Sequence, residues 1–134
     1  MTPNQIQPKT ALTLSPEEYK QYNPFLHLKV KKEEIYARYA RAQKTAKAAA
    51  EFLRTKYNAN KVFIFGSLAD VDYFNKWSDI ELAAEGIHPH SFYKAVADVI
   101  NFSQEFEIDL IDLNDCKQRI RDSVESYGIE ITIS

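Results

Sequence analysis

The sequence lacks what would place it in an oxidising compartment, in a membrane or on nucleic acid. Its single cysteine, Cys116, has no second thiol for an internal disulfide, which excludes a disulfide-stapled scaffold and suits a reducing cytoplasm. Neither an eighteen-residue apolar run nor a signal-peptide pattern is found, so membrane spanning and export are not expected. Basic charge is in no excess: 17 Lys and Arg against 19 Asp and Glu leave a net −2. That removes the global positive field by which nucleic-acid binders gain affinity through counterion release. Internal repeats and low-complexity linkers are missing as well. A chain of 134 residues with 45% apolar content therefore has the makings of one globular domain with a sizeable core.

Met1 to Leu14 has no periodicity and reads as an extended leader. Ser15-Pro16-Glu17-Glu18 combines a capping residue, a proline at the first helical position and acids in the first turn. It predicts a short helix to about Tyr22, ended by Asn23-Pro24. Phe25, Leu26 and Leu28 form an apolar patch that docks on the domain or meets a partner. Residues 1–30 thus read as an N-terminal extension and residues 31–134 as the domain.

Lys31 to Tyr57 is rich in Ala, Glu, Lys and Arg and contains no Gly or Pro, which predicts a long helix. Ile35, Tyr39, Ala42, Ala46, Ala49 and Leu53 draw one apolar stripe along it. At about 1.5 Å per residue it would be roughly 40 Å long, so its first turns are expected to overhang and to contact another chain. The alanine-rich centre allows close approach of the domain's own sheet or of a second copy. The basic runs Lys29-Val30-Lys31-Lys32 and Arg38 to Lys47 read as a solvated helix face.

Chemistry concentrates after this helix. Val62-Phe63-Ile64-Phe65 reads as a buried strand, and Gly66-Ser67 ends it abruptly where a helix could begin. Unpaired backbone N–H groups at such a place, a glycine that admits phosphate and a serine hydroxyl that bonds it make a phosphate-binding turn in outline. In the next strand, from Asp79 to about Ala84, Asp79 and Glu81 project together while Ile80 and Leu82 face the core. Adjacent carboxylates repel unless a cation sits between them, and oxygen ligation of this kind suits Mg²⁺ or Mn²⁺. Between turn and strand, Tyr73, Phe74 and Trp77 read as a lid packed on the domain, with a platform for a base as the sharper alternative. His88-Pro89-His90 reads as an exposed helix entry, not a metal site. A crossover helix is expected over about 91–103, then a strand at Glu107 to Leu113 and a charged helix over Asp115 to Tyr127 that Asn114-Asp115 caps and Gly128 ends. Ile129, Ile131 and Ile133 then alternate as a final strand. This order predicts a small α/β or α+β domain: a mixed sheet with helices on one face, the acid-bearing side left open as a cleft.

Gly-Ser at a strand end, then a loop, then Ser78-Asp79-Ile80-Glu81-Leu82 resembles the DNA polymerase β nucleotidyltransferase superfamily, and the short chain resembles its minimal branch. In that resemblance Gly66 and Ser67 hold a nucleoside triphosphate, and Asp79 and Glu81 bind two Mg²⁺ ions. Asp109, in a similar Ile-Asp-Leu-Ile-Asp-Leu run, supplies the third carboxylate and the general base. The implied reaction is transfer of AMP from ATP to a hydroxyl. Minimal relatives often serve as antitoxins that adenylylate a HEPN-type toxin, which implies a protein partner. A homo-oligomer, a non-catalytic module that neutralises its partner by contact, and a small-molecule nucleotidyltransferase of the aminoglycoside type are the alternatives. Two departures stand out. The acid pair is Asp-x-Glu where minimal relatives usually carry Asp-x-Asp, and Leu68-Ala69-Asp70-Val71-Asp72 stands where relatives often have an arginine.

Overall fold

A computed structural model describes residues 24–132, with side chains from Leu28 onward. The chain divides into two compact units, residues 1–34 and 35–134. Of the first, only the leading turns of one helix are among the described residues. The short helix expected over Ser15 to Tyr22, the side chains of Phe25 and Leu26, and Ile133 all lie outside them.

Helix α1 runs from Pro24 to Tyr57, seven residues earlier than the composition suggested. Proline is well tolerated in a first helical turn, where its missing N–H has no acceptor to lose. Pro24 therefore opens this helix. Leu28 of the apolar patch is a helical residue and stays 63% exposed. Asn58, with φ 57, ends the helix in the left-handed conformation that asparagine tolerates, and Ala59 N–H returns to the Leu53 carbonyl.

In the second unit the strands are β1 (Lys61–Phe65), β2 (Ile80–Glu85), β3 (Ile108–Asp112) and the two-residue β4 (Ile129–Glu130). They form one mixed sheet in the order β3-β2-β1-β4. β1 pairs antiparallel with β2 and β4, whereas β2 and β3 run parallel. The parallel pair requires a crossover, which α2 (Pro89–Ile100) supplies. Helix α3 (Gln118–Tyr127) comes after β3. Its N-cap is Lys117, three residues later than the Asn114 signal indicated. Asn114 instead accepts the Gly86 N–H at 2.9 Å, so its capping chemistry is used across a loop.

Alternation along the strands separates two apolar clusters. Val62, Ile64, Ile80, Leu82, Ile108 and Leu110 join the main core, which the stripe of α1 and Ala95 and Val99 of α2 complete. Ala42, Ala46, Ala49, Ala50 and Leu53 are all fully buried. Phe63, Phe65, Ala83 and Ile111 point the other way, into a small cluster with Leu113 and with Val124 of α3. Ala46→Leu would force methylenes into a fully packed seam and is expected to cost about 1–3 kcal/mol, read as a lower denaturant midpoint at unchanged slope.

Candidate active site

At the end of β1 the chain turns at Gly66, whose φ of +69° lies in the left-handed region that glycine adopts freely. Residues Gly66–Ala69 make a single 3₁₀ turn, not the longer helix that the strand ending suggested. The missing side chain matters as much as the dihedral. A Cβ on Gly66 would overlap Oε2 of Glu81 and stand 2.8 Å from its Cδ, so the Glu81 carboxylate rests in the space that any other residue would fill.

Register explains the meeting. Phe65 on β1 faces Glu81 on β2, and Glu81 faces Asp109 on β3. The three make one row across the sheet, on the face opposite the main core, and Asp79 precedes β2 on the same side. Glu81 is half-buried while Asp79 and Asp109 are exposed. Burial, and then the negative charges of Asp109 and Asp79, push the Glu81 carboxyl above the usual carboxylate range. Three carboxylates with no sulfur or imidazole are the donor set of a hard divalent cation. With Glu81 turned onto the Gly66 backbone, however, no three Asp, Glu, His or Cys side chains among the described residues are gathered closely enough to hold a metal ion as they stand.

Helix α1 fixes the loops that carry these groups. Gln43 Nε2 donates to the Leu68 carbonyl in the Gly-Ser turn at 3.1 Å. Arg38 Nη2 donates to the Ser78 carbonyl, directly before Asp79, at 2.9 Å, and its guanidinium lies 4.5 Å from the Phe106 ring centroid. Arg41 grips Glu105 with Nε at 2.9 Å and Nη2 at 2.7 Å, and this bond holds the Glu105 carboxyl below its usual range. Within the basic run that reads as a solvated face, Arg41, Lys44 and Lys47 are exposed, whereas Arg38 is half-buried on a carbonyl forty residues away, of which charge alone gives no sign. Ser78, which opens the acid motif without an assigned role, is buried, and its Oγ accepts the Asn75 N–H at 2.9 Å, closing the loop before Asp79.

The loop aromatics divide. Phe74 is buried and meets Tyr39 edge-on at 5.4 Å, as a packed lid does. Tyr73 and Trp77 remain 72% and 79% exposed. His88 caps α2 by accepting the His90 N–H at 3.1 Å, as an exposed helix entry should. Beside the Gly-Ser turn lies a cavity of about 280 Å³, walled by Phe65, Gly66 and Ala69 on one side and by Ser123 and Tyr127 of α3 on another. Asp70 and Tyr73 complete its lining.

A four-stranded mixed sheet, a long leading helix and two further helices, with the Gly-Ser turn and the acid row at one end, define the small nucleotidyltransferase fold. Among solved structures, this fold resembles a chain of a toxin–antitoxin complex crystallised with AMP-PNP, with a TM-score of 0.53 and 15% identity over 66% of this chain and 73% of that one. It also resembles a chain of the toxin–antitoxin MntA–HepT, with a TM-score of 0.51 and 16% identity over 69% of this chain and 73% of that one. No family model matches the sequence, and no curated protein matches it either. Identity at this level carries the fold alone.

Gly66→Ala is expected to cost about 1–3 kcal/mol through its left-handed backbone and its collision with Glu81. In a Glu81→Ala background the collision vanishes and only the backbone part remains, so a double-mutant cycle should show favourable coupling. Glu81 also has a pH signature. Its folded-state pKa lies above its unfolded one, so the folded protein holds the proton more tightly and loses stability as pH rises through that window. Glu81→Gln should therefore stabilise the protein at pH 7, and the gain should fade below the ordinary carboxylate pKa. Melts of both proteins across that range check it.

Proposed function

We propose that this protein is a nucleotidyltransferase of the minimal, antitoxin type, which transfers AMP from ATP to a hydroxyl of a protein partner. The observation that carries this reading is the row in which the Glu81 carboxylate lies against Gly66 with Asp109 in register beside it. AMP-PNP in one of the similar structures supports a triphosphate as the substrate, and the toxin–antitoxin complexes support a partner of the HEPN-type toxin class. In this reading the Ser67 hydroxyl and the open backbone at Gly66 bind the β- and γ-phosphates. Asp79, Glu81 and Asp109 hold Mg²⁺ or Mn²⁺. When bound, the metal neutralises triphosphate charge and makes the acceptor hydroxyl more acidic. Burial first, and then the charges of Asp109 and Asp79, hold the Glu81 pKa up, and a cation at these residues would offset the charge part. Asp109, exposed at the start of β3, accepts the hydroxyl proton as oxygen bonds the α-phosphorus and pyrophosphate leaves.

A second reading, a module that neutralises its partner by contact alone, is favoured by one observation. The three acids do not close on a common point, and Asp70 and Asp72 lie in the loop where relatives often carry a cation.

Mg²⁺ should raise the melting temperature by mass action, about 2.7 kcal/mol at a hundredfold excess over Kd, and Asp79→Asn with Glu81→Gln should remove the increment. An unchanged response in the double variant would move the metal site elsewhere. With α-labelled ATP, Mg²⁺ and a HEPN-type partner, label should appear on the partner and disappear in Asp109→Asn. Absence of both labelling and nucleotide binding would leave the contact-only module.

A further inference from the structure

We propose that the cavity between the Gly66–Ala69 turn and α3 is a nucleobase pocket that favours a base carrying an exocyclic amine over uracil. The inference rests on the nucleotidyltransferase reading for the position of the phosphates, and on the cavity's own lining for the base. At about 280 Å³ the cavity lies near the lower end of small-ligand sites, roughly 300 Å³, a size for a nucleoside and not for a peptide. Gly66 belongs both to this wall and to the Gly-Ser turn. A nucleotide whose phosphates lie at Gly66 and Ser67 has its base within reach of the cavity, which adjoins the same turn.

The lining selects among ligands. Tyr73 and Tyr127 come from separate elements, a loop and the end of α3, and both residues line the cavity while remaining 72% and 79% exposed. Large aromatic surfaces left in water around one hollow suit a flat partner that covers them, and every base offers a π-face. No Lys or Arg lines the cavity, which argues against a second phosphate site. Its polar groups are Asp70, Ser123 and the two tyrosine hydroxyls, and of these only the carboxylate carries a formal charge. One Asp70 oxygen accepts the Asp72 N–H at 2.9 Å, and an ionised carboxylate keeps further lone pairs but no donor. Such a group pairs with an amino group on a base edge and repels the 4-carbonyl of uracil. Asp70 thereby gains a role where the resemblance led one to expect an arginine.

Titration of the full chain with ATP, UTP, adenosine and inorganic tripolyphosphate, each with Mg²⁺, tests the proposal. ATP should bind about tenfold or more tightly than UTP. Tyr127→Ala should weaken ATP roughly 5- to 150-fold and leave tripolyphosphate unchanged, whereas Tyr127→Phe, which keeps the ring, should bind as the native chain does. Asp70→Asn retains an oxygen for the Asp72 N–H and should narrow the preference for ATP over UTP. Tyr127 is exposed, so an unchanged melting temperature separates lost binding from lost fold. Equal native affinities for ATP and UTP, or ATP binding in Tyr127→Ala that is unchanged or falls only in step with tripolyphosphate, would overturn the pocket and leave the phosphate site standing. Adenosine binding that depends on Tyr127, with no binding of tripolyphosphate, would keep the pocket and sink the nucleotidyltransferase reading. Binding of neither would sink both.

Discussion

Burial of the α1 stripe in the main core is the constraint on which the candidate site depends. Four alanines and Leu53 along one helical stripe are fully buried among the core residues of the strands. That anchoring brings the next residues around the helix within reach of three loops. Gln43 reaches the Gly-Ser turn, Arg38 the carbonyl before Asp79, and Arg41 the segment before β3. Each loop adjoins a different part of the acid row, and strand pairing alone would leave them free to move independently. A helix read as support for the core therefore also aligns the ends of three strands.

Most of the second unit was legible because its signals are local. A continuous apolar run ended by Gly-Ser marked β1, the Ala-rich stripe marked α1, and the two-residue spacing of Asp79 and Glu81 in β2 required a shared face. The meeting of Glu81 with Asp109 was legible only through the resemblance, since their register depends on which strand neighbours β2. The start of α1 at Pro24 and not at Lys31 was missed because a proline can follow one helix or open the next, and local sequence does not decide between them. Asn114 misled for a related reason: a side chain fit to cap a helix is equally fit to bond a distant N–H, and here it bonds Gly86. Arg38 and Arg41 show the limit of charge patterning. Their partners lie 40 and 64 residues away, and a period along the helix carries no trace of them.

The contact between Gly66 and Glu81 gives physical content to the Asp-x-Glu departure. An aspartate at this place would be one methylene shorter, and its carboxylate could not extend over the Gly66 backbone as the glutamate does. The longer side chain shelters its charge beside a residue that has no side chain of its own, and it remains half-buried with a raised pKa. Glycine at 66 and glutamate at 81 are thus one structural feature written at two positions.

Charge then decides what the site demands of a ligand. Asp70, Asp72, Asp79, Glu81 and Asp109 all belong to the row or to the loop leading into it, and no arginine of that loop offsets them. A triphosphate approaching such a surface meets like charge, and exposed groups are screened only beyond about 8–10 Å at ordinary ionic strength. On the proposed reading, cation and nucleotide affinity are therefore strongly coupled: each neutralises the charge that opposes the other. Coupling of this kind is reciprocal, so the factor by which Mg²⁺ tightens the nucleotide is the factor by which the nucleotide tightens Mg²⁺. A site with an arginine in the loop would bind triphosphate partly on its own. On the same reading this one, with aspartates there, would rely on the metal to make the triphosphate acceptable at all.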